Sequence, residues 1–108
     1  MTVKELADVC QFKTVVMPCP EKMASGVYIG DLLSWVMGRA EADNVWITIM
    51  SNVNVVAVAS LADVSCVLLA EGVTLDDEVI KTAEAKGINV LSSDAPIYET
   101  ALKIGGIL

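Results

Sequence analysis

The stretch SNVNVVAVASLADV, Ser51 to Val64, is almost all Val and Ala between polar ends. As a strand it would place Val53, Val55, Ala57, Ala59 and Leu61 on one face. That reading also needs Ser51-Asn52 to form a tight two-residue turn, where Asn-Gly or Asp-Gly would be favoured. As a helix capped by Asn52 it would group Val53, Val56, Ala57 and Leu61, with its valines lowering helix propensity. The flanks decide between the two. VWITIM (Val45–Met50) and VSCVLLA (Val64–Ala70) are apolar, β-branched runs of the kind found in strands covered on both faces. Parallel strands need a crossover of a dozen or more residues, usually helical. The stretch therefore reads as a helix from Val53 to Ala62. Its apolar residues surround it, which implies cover on more than one side, from the N-terminal half or from another subunit.

Working outward, the second half reads β-α-β-α-β-α, the signature of a parallel sheet flanked by helices. Thr74–Lys86 is a helix with Thr74 as cap, Asp76, Asp77 and Glu78 in its first turn, and Gly87 after its end. INVLS (Ile88–Ser92) is a strand, and Asp94 caps a last helix from Ala95 to Ile104. In the first half, TVKELADVC carries the Thr2/Glu5 capping-box pattern, with Val3, Leu6 and Val9 at helical spacing. FKTVVM (Phe12–Met17) reads as a strand ended by Pro18 and Pro20. GVYIG is a short strand or an extended approach to the next helix. That helix, Asp31–Ala40, is capped by Asp31 and groups Leu32, Trp35 and Val36. The expected fold class is α/β, a three-layer, largely parallel sheet with helices on both faces, in a single domain over residues 1–108.

Composition narrows the function classes. The 108 residues are 55% hydrophobic, and mean hydropathy is +0.61, which excludes a disordered chain. No apolar run reaches the ~18–20 residues that span a bilayer. Charges within MTVKELADVCQF exclude a secretory signal, so a cytoplasmic location is expected. Net charge is −7. Such an acidic chain suits neither nucleic acid nor an anionic membrane surface. Histidine is absent and the three cysteines, Cys10, Cys19 and Cys66, form no C-x-x-C. No metal site, cofactor or catalytic residue is expected. Cys66 reads as a buried apolar residue; Cys19, between two prolines, reads as exposed but without a local base to activate it.

GVYIGDLLSWVMGRA, VWITIMSNVNVVAVASLADVSCVLLAEG, GINVLSS and IYETALKI together resemble a stand-alone DRTGG-domain protein, over nearly the whole chain. The literal string DRTGG is absent, so the resemblance rests on the wider pattern, most specifically on Val45–Gly72. It implies a DRTGG-like fold, related to the N-terminal domain of HPr kinase/phosphorylase. Similar domains accompany CBS-domain pyrophosphatases and phosphotransacetylases as regulatory or dimer-forming modules. The resemblance thus implies a non-catalytic module, a homodimer, and a partner protein of signalling or redox type. No phosphate loop of the G-x-x-x-x-G-K-[ST] type occurs, so kinase chemistry is not implied.

Ligands of open parallel sheets bind beyond the carboxyl ends of the strands. The candidate ligand-binding residues are accordingly Ser51, Asn52, Asn54, Glu71, Gly72, Ser93 and Asp94. Helix starts at Asn52 and Asp94 would suit an anion. Glu71, Asp76, Asp77 and Asp94 make the same rim acidic, and no Lys or Arg lies in those loops. Asn52, Thr74 and Asp94 serve equally as plain helix caps, and Asn54 as a solvated residue of a first turn. Trp35, Met37, Val55 and Val58 are the candidate interface residues; Trp35 fits the core equally well. A small-ligand sensor for a nucleotide or metabolite is the alternative to the interaction module.

Overall fold

The computed structural model describes residues 1–108. Its elements are α1 (Val3–Cys10), β1 (Lys13–Val16), β2 (Val27–Ile29), α2 (Leu33–Arg39), β3 (Val45–Thr48), α3 (Val53–Ala62), β4 (Cys66–Leu69), α4 (Asp77–Ala85), β5 (Val90–Ser92) and α5 (Ile97–Gly105). The five strands form one sheet in the order β1-β5-β4-β3-β2. β2, β3, β4 and β5 are parallel, and β1 runs antiparallel beside β5. The stretch that decides the fold is a helix with the expected bounds, Val53–Ala62.

Each step from β2 to β5 moves to the adjacent strand in one direction. Right-handed crossovers then put α2, α3 and α4 on a single face of the sheet. The strands show the division by alternation. Trp46, Val67, Leu69 and Val90 meet Val36, Val56, Ala59, Val79 and Ala83 from those three helices. Val45, Ile47, Cys66, Leu68 and Leu91 meet Val3, Leu6, Ala7 and Ile104 from α1 and α5 on the other face. The three layers are thus α2–α4, sheet, and α1 with α5.

Several local expectations change. α3 lies between α2 and α4, and buries Val55, Val56, Val58 and Ala59 while Val53, Ala57 and Leu61 face solvent. An apolar helix without a polar side gives the sequence no way to choose this face. Val55 and Val58, expected at a dimer seam, therefore belong to the chain's own core, at 3% and 6% exposure. Trp35 is not a core residue, and only Val36 of α2 is fully enclosed. In α1 the capping box of Thr2 and Glu5 forms as expected, but Ala7 and Cys10 are buried and Val9 is exposed. Glu5's carboxyl is held below its ordinary value by hydrogen bonds to Thr2. Asp31, Thr74 and Asp94 are not caps: α2, α4 and α5 begin after Leu32, Asp76 and Pro96, none of which makes a side-chain cap bond.

Residues 17–26 must carry the chain from β1 at one edge to β2 at the other. Four strand spacings are ~19 Å, within the ~33 Å that ten extended residues reach. The segment crosses beneath the amino ends of the strands and is held by buried amides. Asn89 Oδ1 accepts from the Cys19 amide at 2.9 Å, and Asn89 Nδ2 donates to the carbonyls of Cys19 at 2.8 Å and Ser65 at 3.1 Å. Asn44 Nδ2 donates to the Ser25 carbonyl at 2.9 Å, and the Ser65 hydroxyl donates to the Asn44 carbonyl at 3.0 Å. Removing the Asn89 amide would strand three backbone groups in a buried site, and each such group costs on the order of 1–3 kcal/mol. Asn89→Ala is therefore expected to lower unfolding stability by about 3 kcal/mol, read from urea denaturation; a loss under ~0.5 kcal/mol would show that this segment does not depend on Asn89.

Candidate functional site

At the carboxyl edge of the sheet, α4 leaves β4 over one face and α5 leaves β5 over the other. Adjacent strands that send their chains to opposite faces are the usual origin of a ligand crevice. Glu71, Gly72, Ser93 and Asp94 come together here. Their own hydrogen bonds close the gap between the two loops. The Glu71 amide donates to the Ala95 carbonyl at 2.9 Å, and the Gly72 amide to the Ser93 carbonyl at 3.0 Å. Glu71 Oε2 accepts from the Ile97 amide at the start of α5, at 3.0 Å. Beneath them the Thr100 hydroxyl donates to Ser93 Oγ at 3.0 Å, and the Ala95 amide donates to the same oxygen at 3.2 Å.

Backbone conformation enforces this closure. Glu71 and Gly72 both have positive φ, +63° and +69°. A Cβ at Gly72 would have room, its nearest neighbour being Asp94 Oδ1 at 3.7 Å. What calls for glycine is the left-handed conformation rather than space. Glu71 adopts it without that freedom, at a cost of order 1 kcal/mol. The turn points its carboxylate at the α5 N-terminus, where unsatisfied amides and the helix dipole favour negative charge. The chain's own carboxylate thus stands where a bound anion would sit, and no cavity opens along this edge.

Asp94 Oδ2 accepts from Lys13 Nζ at 2.9 Å, with both side chains largely exposed. Lys13 therefore supplies the base that the rim loops themselves lack. It arrives because β1 pairs with β5 so that Lys13 stands opposite Ser92. Nothing in the sequence near Lys13 announces its contact with Asp94, 81 positions away.

The third loop stands apart. Asn52 caps α3 as expected, its Oδ1 accepting from the Asn54 amide at 2.9 Å, while Ser51, Asn52 and Asn54 are exposed. Asp31 serves the same region: its Oδ1 accepts from the buried Thr48 hydroxyl at 2.8 Å and the Ile49 amide at 3.1 Å. None of these groups is hydrogen-bonded to the Glu71–Asp94 cluster.

Trp35 and Met37 flank the enclosed Val36 on opposite sides of α2, each 52% exposed, and Leu32 before the helix is exposed as well. The Arg39 guanidinium stacks 3.8 Å above the Trp35 ring centroid. Burial pushes the Cys66 thiol up to about 12 and raises that of Cys10. Both thiols therefore stay protonated and unreactive at neutral pH. Cys19 is half-buried. No three Cys, Asp or Glu side chains converge as metal ligands, and no helix is long and apolar enough to cross a membrane.

Comparison with known proteins agrees with this architecture. The sequence model of the DRTGG domain matches residues 22–107. A solved structure of the CBS and DRTGG domains from the regulatory region of a Clostridium perfringens pyrophosphatase, complexed with its activator diadenosine tetraphosphate, is similar at TM-score 0.74 and 15% identity. The alignment covers 95% of this chain and 45% of that one. This chain spans less than half the length of that relative, and at such identity the likeness establishes the fold. No curated protein matches the chain.

The Glu71 contact has a measurable consequence. Glu71→Ala is expected to cost about 1 kcal/mol, as loss of an N-terminal cap does, and to speed amide exchange at Ile97. Glu71→Gln, which keeps an acceptor oxygen, should cost less. Unchanged urea midpoints and unchanged Ile97 exchange in the alanine variant would show that this carboxylate does not hold the edge closed.

Proposed function

This chain belongs to the DRTGG-domain family, and from that premise we propose that it is a non-catalytic regulatory or protein-interaction module, one domain over residues 1–108, that works as a homodimer in the cytoplasm. The observation that carries the reading is apolar exposure at the β2 side of the molecule, from Leu32, Trp35 and Met37 in the α2 layer and from Val27 and Ile29 on the opposite face of the edge strand. Grouped apolar exposure of this kind marks an association surface more often than it decorates a monomer. Residues 23–40, which contain this surface, carry one acid and one base in a chain of net charge −7. Approach along it therefore avoids most of the like-charge repulsion between copies. Trp35 and Met37 are the anchors; Val55 and Val58 take no part, since they are enclosed in the core. A signalling or redox protein is the kind of partner the assembled module would accompany. Light scattering after size exclusion should give twice the chain mass at tens of micromolar, and a single-chain mass up to hundreds of micromolar would refute the homodimer.

A second reading is a sensor for a small ligand such as a nucleotide or metabolite, using Ser51, Asn52, Asn54, Glu71, Gly72, Ser93 and Asp94. It is favoured by the opposite departures of α4 and α5, and by the relative whose regulatory region is complexed with a nucleotide activator. In this chain a phosphate at α5 would have to displace Glu71 from the Ile97 amide. A ligand at a hundred times its dissociation constant stabilises by about 2.7 kcal/mol. Thermal shift with adenine nucleotides, with and without magnesium, separates the readings. The interaction module predicts no shift, and a rise of several degrees that disappears in Asn52→Ala or Asp94→Ala would favour the sensor.

A further inference from the structure

The two edges of the sheet are built differently. β1 is guarded: it begins with the charged Lys13, and its pairing to β5 is broken by a register shift between Thr14 and Val16. Charges and bulges of this kind keep edge strands from pairing with other chains. β2 has neither device. Its three residues are Val27, Tyr28 and Ile29, between Gly26 and Gly30, and its register on β3 is regular.

Hydrogen bonding fixes which β2 groups remain open. The Val45 amide donates to the Gly26 carbonyl, and the Gly30 amide donates to the Ile47 carbonyl. Residues of even number therefore face β3. The amides and carbonyls of Val27 and Ile29 point out of the sheet, at its edge. Their side chains share the strand face of Val45 and Ile47, and are 37% and 47% exposed.

We propose that β2 pairs antiparallel with β2 of a second copy, about a two-fold axis through Tyr28, joining two sheets into one of ten strands. The inference rests on the homodimer reading and assigns its interface. The open groups are self-complementary. With Tyr28 on the axis, Val27 of each copy stands opposite Ile29 of the other. Each such pair exchanges two hydrogen bonds, which gives four in all, and Tyr28 becomes the non-hydrogen-bonded pair. Val27 against Ile29 is also an apolar cross-strand pair, the kind that stabilises sheets.

Charge favours the same arrangement. α2 returns from the carboxyl end of β2 toward its amino end, so Asp31 and Arg39 lie at opposite ends of the edge. An antiparallel pair reverses one copy relative to the other. The Arg39 end of each α2 then meets the Asp31 end of its partner. These are the only charges in residues 23–40, and they meet with opposite sign.

Two variants test the assignment, each checked for native circular dichroism. Ile29→Lys puts a charge on an exposed position and should halve the mass found by light scattering. Tyr28→Cys, in a Cys19→Ser background, should form a covalent dimer on mild oxidation, because the non-hydrogen-bonded spacing of ~4.5 Å between Cα atoms falls in the disulfide range. A folded Ile29→Lys monomer together with the Tyr28→Cys crosslink supports the assignment. A wild-type dimer whose Ile29→Lys variant keeps its mass overturns the β2 interface and leaves the homodimer standing. A dimeric Tyr28→Cys variant that does not crosslink overturns the two-fold register. A monomeric wild type overturns both this inference and the homodimer reading.

Discussion

The grip of Asn89 on both backbone groups of Cys19 is the contact on which the layout depends. It holds the segment that carries the chain under the whole sheet, from β1 at one edge to β2 at the other. A carboxamide suits the task because it offers an acceptor and donors in one plane. Asn44 and Ser65 continue the attachment beneath β3 and β4. Once β2 is set at the far edge, the later strands can only fill the gap by stepping back toward β1. That single direction of travel puts α2, α3 and α4 on one face.

The change of side comes only at α5, and it produces the one place where a crevice could open. Two consecutive left-handed residues, Glu71 and Gly72, turn a carboxylate onto the amides of α5. The result is an edge whose polar groups satisfy one another, with Ser93 and Thr100 buried beneath. No buried side-chain nitrogen or oxygen in the molecule lacks a partner. Negative charge at that helix start is thus already provided by the chain.

The parallel half of the fold was legible because its signals are local. Apolar runs of strand length alternate with crossover lengths, and Asn52 and Thr2 cap the helices they precede, Thr2 reciprocally with Glu5 in the first turn of α1. What escaped the sequence is nonlocal. The pairing of β1 with β5 brings Lys13 to Asp94, and the cap of α5 comes from Glu71 rather than from Asp94 beside it. The buried face of α3 is not legible in the sequence, because Val and Ala surround the helix and only its neighbours choose a side. Of the candidate site, Glu71, Gly72, Ser93 and Asp94 do converge, since strand-end loops of adjacent parallel strands must lie together. Ser51, Asn52 and Asn54 belong to the next loop along and make no bond to that cluster.

What distinguishes the surface is therefore the contrast between a carboxyl edge closed by the chain itself and a β2 edge left unguarded. In a protein of net charge −7, the uncharged β2 edge, with its free backbone groups, is where another chain can add to the sheet. Amide hydrogen exchange at Val27 and Ile29, followed across a dilution series, tests this most directly. Pairing of β2 across a two-fold axis predicts slow exchange at both amides at high protein concentration, becoming fast on dilution while the β4 amides stay protected throughout. Fast exchange of Val27 and Ile29 at every concentration would contradict it.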